Sequence, residues 1–203
     1  MNRAKLVPAW LFLVVFSVVL AGCGLPRTDT DRANRHLQAR QLFTEGLAYE
    51  GLSEYSSALD RYRKVIELYP SDYDWANRAH LRTARIYRNN LNDFDQSVQH
   101  YRAFLQAADG ETTVTNVRME LARLFRDESL YESAVELYRT IISSSPNEQS
   151  VQEGYYYLGE VYLDAEDYRN SIDTYSRFLE RFPRGNLADG ALFNMGKAYA
   201  RMG

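Results

Sequence analysis

The chain is 203 residues long, 45% hydrophobic and 25% charged, a balance that supports one sizeable core and excludes a globally disordered protein. Its formal charge is −3, and without Arg3 and Lys5 the remainder stands at −5, which excludes the basic footprint of a nucleic-acid binder. Sixteen tyrosines, with no long β-branched run beyond the N-terminal stretch, point to helices.

Residues 1–22 read as a secretion signal. Arg3 and Lys5 form a positive n-region, Leu6–Leu20 an apolar h-region, and Ala21 and Gly22 supply the small residues a peptidase needs. Leu20-Ala21-Gly22-Cys23 resembles the bacterial lipoprotein box, in which cleavage precedes a cysteine that carries diacylglycerol and an N-acyl chain. Two alternatives stay open: an uncleaved anchor helix over Leu6–Leu25, nearly long enough to span a bilayer, and an ordinary signal followed by an incidental cysteine. Pro8 and the Gly22-Cys23-Gly24 cluster argue against a uniform spanning helix. Lipidation at Cys23 accounts for the single cysteine of the chain, which otherwise sits unpaired in an oxidising compartment. Such acylation exceeds the two-signal threshold for stable anchoring. Gly24 rather than Asp after the cysteine resembles lipoproteins sorted onward, so the expected location is the periplasmic leaflet of the outer membrane.

Residues 23–34 read as the lipidated cysteine and a polar tether, with Thr30 or Asp31 as N-cap of a first helix that runs through Glu50. The remaining 35–203 repeats one pattern. Gly46, Ala84, Ala122, Gly159 and Gly196 recur at spacings of 38, 38, 37 and 37 residues. Tyr49, Tyr87, Phe125, Tyr162 and Tyr199 follow three residues later in each unit. After a short polar turn come Tyr55, Phe94, Tyr131 and Tyr168, then the small Ala58, Ser97, Ala134 and Ser171, then Tyr62, Tyr101, Tyr138 and Tyr175. The i, i+3, i+4, i+7 spacing puts each set on one helical face. Pro70, Pro146 and Pro183 close three of the four complete units.

This register resembles the tetratricopeptide repeat over residues 38–203, with a period longer than the family's usual 34 residues. The resemblance implies an all-α, right-handed solenoid of four complete helix pairs: Asp31–Pro70, Asp74–Ala108, Thr113–Ser145 and Gln149–Phe182. Gly185–Gly203 adds the first helix of a fifth unit. Two readings of it stay open, a terminal cap or an incomplete chain, and its apolar Leu187, Leu192, Phe193, Met195 and Tyr199 favour an incomplete C-terminus or one covered by a partner.

Chemistry is sparse. The sequence holds no Gly-rich phosphate loop, HExxH or CxxC, so no enzyme activity, cofactor, metal site or small-molecule substrate is expected. His36, His80 and His100 each lack a second histidine at metal-ligand spacing and read as surface or helix-packing residues. Carboxylates in the turns (Asp93, Asp95, Asp127, Glu128, Asp164, Glu166, Asp167) are expected to cap the helices that follow.

The resemblance also implies that one stripe of each first helix lines a concave groove. Phe43, Leu81, Met119, Tyr156 and Phe193 would form its apolar floor, and Arg78, Arg85, Arg88, Arg123 and Arg126 crowd onto its second and third repeats. With Leu81 and Met119, these arginines are the expected partner-binding groove, suited to acidic or carboxylate-bearing protein segments in the periplasm. The long-period units resemble those of the outer-membrane protein assembly lipoprotein family, and Tyr156–Gly203 resembles the repeat domain of the periplasmic Tol-Pal coordinator. The expected function is a membrane-anchored interaction scaffold supporting outer-membrane protein assembly. The alternatives are a Tol-Pal or cell-division coordinator, or a lipoprotein serving pilus or secretin assembly.

Overall fold

A computed structural model describes residues 29–108 and 110–203 of the chain. The signal, Cys23 and the first half of the tether lie outside the described residues. Helix α1 spans Asp29–Gly51, beginning one or two residues before the expected N-cap at Thr30 or Asp31 and ending one residue past Glu50. Then come α2 (Tyr55–Leu68), α3 (Tyr73–Ile86), α4 (Phe94–Ala107), α5 (Glu111–Asp127), α6 (Tyr131–Ser144), α7 (Glu148–Asp164), α8 (Tyr168–Arg181) and α9 (Ala188–Met202). Among the described residues there is no strand, and the all-α solenoid of helix pairs is the observed architecture. Each helix packs on the next in sequence, and α1 against α3, α5 against α7 and α7 against α9 bring first helices of successive repeats side by side.

The recurring small residues explain why the pairs close. A Cβ on Gly46 would sit 2.5 Å from the Tyr62 ring, and one on Gly159 would sit 2.5 Å from the Tyr175 ring. The second-helix tyrosines therefore lie flat against first-helix backbone. Tyr62, Tyr101, Tyr138 and Tyr175 are all fully buried, each worth about 1.5–3 kcal/mol if it is scored like other large apolar side chains. Where the second-helix small residue is serine, its hydroxyl donates to the carbonyl of the first-helix small residue: Ser97 to Ala84 at 3.0 Å and Ser171 to Gly159 at 2.9 Å. The core falls into three successive clusters along the stack, around Tyr62, around Tyr101 and Tyr138, and around Tyr175.

The four intra-repeat turns share one device. Ser53, Asn92, Ser129 and Glu166 each take a left-handed conformation, with φ between 52° and 59°. The residue after each donates its N–H back into the first helix: Glu54 to Tyr49, Leu130 to Phe125 and Asp167 to Tyr162, all five residues back. Asp93 instead reaches six residues back, to Tyr87. The extra residue is absorbed by a π-helical stretch, Tyr87–Leu91, that continues α3. Of the turn carboxylates, Asp93 and Asp167 cap α4 and α8 by accepting from Gln96 and Asn170 N–H, whereas Asp127 and Asp164 serve a different purpose described below.

Candidate protein-binding face

Arg78 and Arg85 lie on α3, Arg88 on its π-helical continuation, and Arg123 and Arg126 on α5. Each guanidinium already has a protein partner. Arg85 forms a two-pronged bond with Glu120 of the next first helix, Nη2 to Oε1 at 2.5 Å and Nε to Oε2 at 3.0 Å. Arg88 reaches Asp127 at 3.5 Å. Arg126 reaches both Glu160 and Asp164 at 2.6 Å. On the N-terminal side Arg82 reaches back to Glu50 at 3.3 Å. The result is a ladder of ion pairs linking α1, α3, α5 and α7, in which Asp127 and Asp164 act as rungs rather than caps.

Burial alone would raise the carboxyl of Glu120. The hydrogen bonds from Arg85 and from the Tyr101 hydroxyl, with Arg88 nearby, outweigh it and hold Glu120 below the usual carboxylate range. Arg85 and Arg88 are thus neutralised within the fold, and the expectation of an uncompensated basic patch is corrected accordingly. The physical reason is stacking: an arginine is long enough to bridge to the next repeat, and a carboxylate stands there.

Two arginines differ. Arg78 bonds Asp74 one turn away on its own helix at 2.9 Å and lies 4.9 Å from the Trp75 ring, with its side chain 55% exposed. Arg123 lies over the Tyr157 ring at 4.6 Å. Neither is held by a carboxylate of the following repeat.

The apolar column behaves differently from an open floor. Met119 is 5% exposed and Phe43 is 6% exposed, both inside core clusters, and Leu81 is packed against the central one. Met119 therefore cannot offer its side chain to a partner, which corrects its place in the groove. Phe43 shows why: the Tyr62 ring of its own repeat and the Trp75 ring of the next both lie within 5.4 Å of its centroid. At Phe193, on the last described helix, the same column stands 69% exposed, with Leu192, Tyr199 and Met202 exposed beside it.

The histidines are not isolated in space. His36 Nδ1 lies 2.8 Å from Asp72, and its Nε2 accepts from the Trp75 indole, so it pins the first repeat to the second. His80 and His100, one on each helix of the second repeat, meet Nδ1 to Nδ1 at 2.9 Å. No spacing within either helix announces that pair, because the residues are 20 apart and meet only when the hairpin closes.

A family model for the soluble NSF attachment protein, SNAP, matches residues 26–184. The chain belongs to the SNAP family. No curated protein matches the sequence. Among solved structures, the SNAP-family chain is similar to apo RapI (TM-score 0.68, 15% identity), covering 94% of this chain and 54% of RapI, so it spans about half that protein's length. BtubC from P. vanneervenii matches at a TM-score of 0.62 and 16% identity, over 85% of this chain and 76% of BtubC. MamA matches at 0.56 and 15%, over 80% of this chain and 91% of MamA. At these identities the likenesses establish the tetratricopeptide-like fold.

Proposed function

We propose that this SNAP-family chain is a protein-interaction scaffold of the bacterial cell envelope, anchored through lipidated Cys23 and supporting outer-membrane protein assembly. It works without catalysis, by presenting its first-helix face to protein segments that carry carboxylates. The observation that carries this reading is the pair Arg78 and Arg123, the two arginines of that face left outside the inter-repeat ladder. A guanidinium stacked on an aromatic ring keeps its edge open to a carboxylate. The ladder arginines hold the platform in shape, and Arg78 and Arg123 meet the partner. The lipoprotein-like N-terminus supports the anchor, and the long-period repeats support the assembly role.

The test is affinity purification of the full-length protein from its native membranes. Arg78→Glu with Arg123→Glu should lower the co-purifying partner more than tenfold, equivalent to about 1.4 kcal/mol. The thermal unfolding midpoint should fall only slightly, since Arg78 makes its contacts within its own helix and Arg123 meets the next repeat only through the Tyr157 ring, a contact worth about 0.5–1 kcal/mol at an exposed site. Cys23→Ala should abolish palmitate labelling. Undiminished co-purification by the double variant, or continued labelling of the alanine variant, overturns the corresponding half of the reading.

A further inference from the structure

The second repeat holds a cleft of about 570 Å³ walled by α2, α3 and α4, and the paired histidines lie in it. His80 and His100 face each other through Nδ1 at 2.9 Å, with ring centroids 5.1 Å apart and planes at 44°. His100 is also stacked on Tyr87, the first residue of the π-helical stretch, at 6.0 Å and 22°. One turn beyond His80, Thr83 lines the same cleft at 4% exposure, and its Oγ1 has no protein hydrogen-bond partner. A buried hydroxyl normally finds a partner, commonly the carbonyl one turn back in its own helix. From α2, Asp60 and Glu67 line the cleft as well, alongside Arg63, which pairs with both.

We propose that His80 and His100 form a binding site for a divalent transition-metal ion, with copper(II) preferred. Two neutral imidazoles carried by separate, packed helices are a preorganised pair of nitrogen donors. The 2.9 Å between the two nitrogens is a hydrogen-bond distance, close enough for both to reach one ion once the shared proton moves away. Copper(II) is preferred because it heads the affinity order of divalent first-row ions for nitrogen donors. Among the described residues no third His, Cys, Asp or Glu completes a cluster, so solvent fills the other positions and the site is an exchangeable one. Thr83 Oγ1 supplies a hydrogen bond to a metal-bound water. On binding, the histidine that donates through Nδ1–H shifts that proton to its own Nε2, so both Nδ1 lone pairs reach the metal with no net proton released. The metal then clamps α3 to α4.

The full chain in detergent is titrated with copper(II), with nickel(II) and zinc(II) as competitors, and the copper complex is examined by electron paramagnetic resonance. The expected result is one copper per chain with two equatorial nitrogens and a higher Tm. Either His80→Gln or His100→Gln should weaken binding more than tenfold, while His36→Gln should not. Copper should outcompete zinc. Wild-type affinity in the His80 and His100 variants, a nitrogen count they do not change, or zinc binding more tightly than copper overturns the proposal. The Tm comparison with and without copper keeps the test decisive if a variant is less stable, because the metal must then fail to raise its Tm.

Discussion

Gly159 and Gly196 occupy the same place in successive repeats, yet their surroundings differ. A side chain at Gly159 runs into the Tyr175 ring, whereas one at Gly196 meets nothing within 4 Å. Gly159→Leu should therefore cost about 1–3 kcal/mol through overpacking. Gly196→Leu should be neutral or gain up to about 1 kcal/mol, because glycine is a poor helix residue. Denaturant unfolding of both variants checks the contrast, and equal effects would contradict it. The buried tyrosines make a second pair. Tyr101 donates to Glu120 at 2.9 Å, but the Tyr138 hydroxyl has no protein partner. Tyr101→Phe should cost about 1.5–3 kcal/mol, the range for a bond to a charged group, whereas Tyr138→Phe should leave stability unchanged or raise it. The identical column position of these tyrosines was plain from spacing; their opposite hydrogen bonding was not, since it depends on whether the residue two before the next small position is Glu120 or Tyr157.

At the scale of elements, helix pairs and their small-residue contacts were legible because each is encoded within about 12 residues. The extra residue that the π-helical stretch takes up was legible too, in the spacing alone. The small residue and the first aromatic after the turn are 9 residues apart in the first, third and fourth units (Gly46 to Tyr55, Ala122 to Tyr131, Gly159 to Tyr168) and 10 apart in the second (Ala84 to Phe94). Tyr87–Leu91 takes up that one residue. Deleting Asn90 should convert the stretch to ordinary α-helix and move Tm by no more than a few degrees. Deleting Glu128, from a unit with no residue to spare, should drag Tyr131 and Tyr138 out of register and cost several kcal/mol, as loss of a large core side chain does. Calorimetry of the two deletions separates these outcomes. The ion-pair ladder was not legible, because Arg85 and Glu120 are 35 residues apart and meet only through the angle at which repeats stack.

Across the whole molecule, acidity should act chiefly on the second repeat. Burial lowers the pKa of His80, and burial together with the His80 ring pushes His100 down from 6.5 to about 4. Both rings therefore bind fewer protons folded than unfolded. Their contribution is fully present above about pH 6.5 and is lost as pH falls toward 4. Glu120, also lowered, extends the loss to more acidic pH. Thermal melts from pH 7 to pH 4 should show a falling Tm, with a shallower slope in His100→Gln than in the wild type. An unchanged slope would mean that His100 does not govern this limb.

The ladder also gives the solenoid a mechanical character. Its rungs join first helices with side chains between 21% and 63% exposed, and ion pairs that solvent reaches contribute only about 0–1 kcal/mol each. The tyrosine contacts, by contrast, lie between the two helices of a repeat and are fully dry. The joints between repeats are apolar as well, since the core around Tyr101 and Tyr138 runs from the second repeat into the fourth, and the ladder is the weak, salt-softened fastening on one side of them. Added salt should therefore loosen the first-helix face while leaving the apolar contacts between repeats in place.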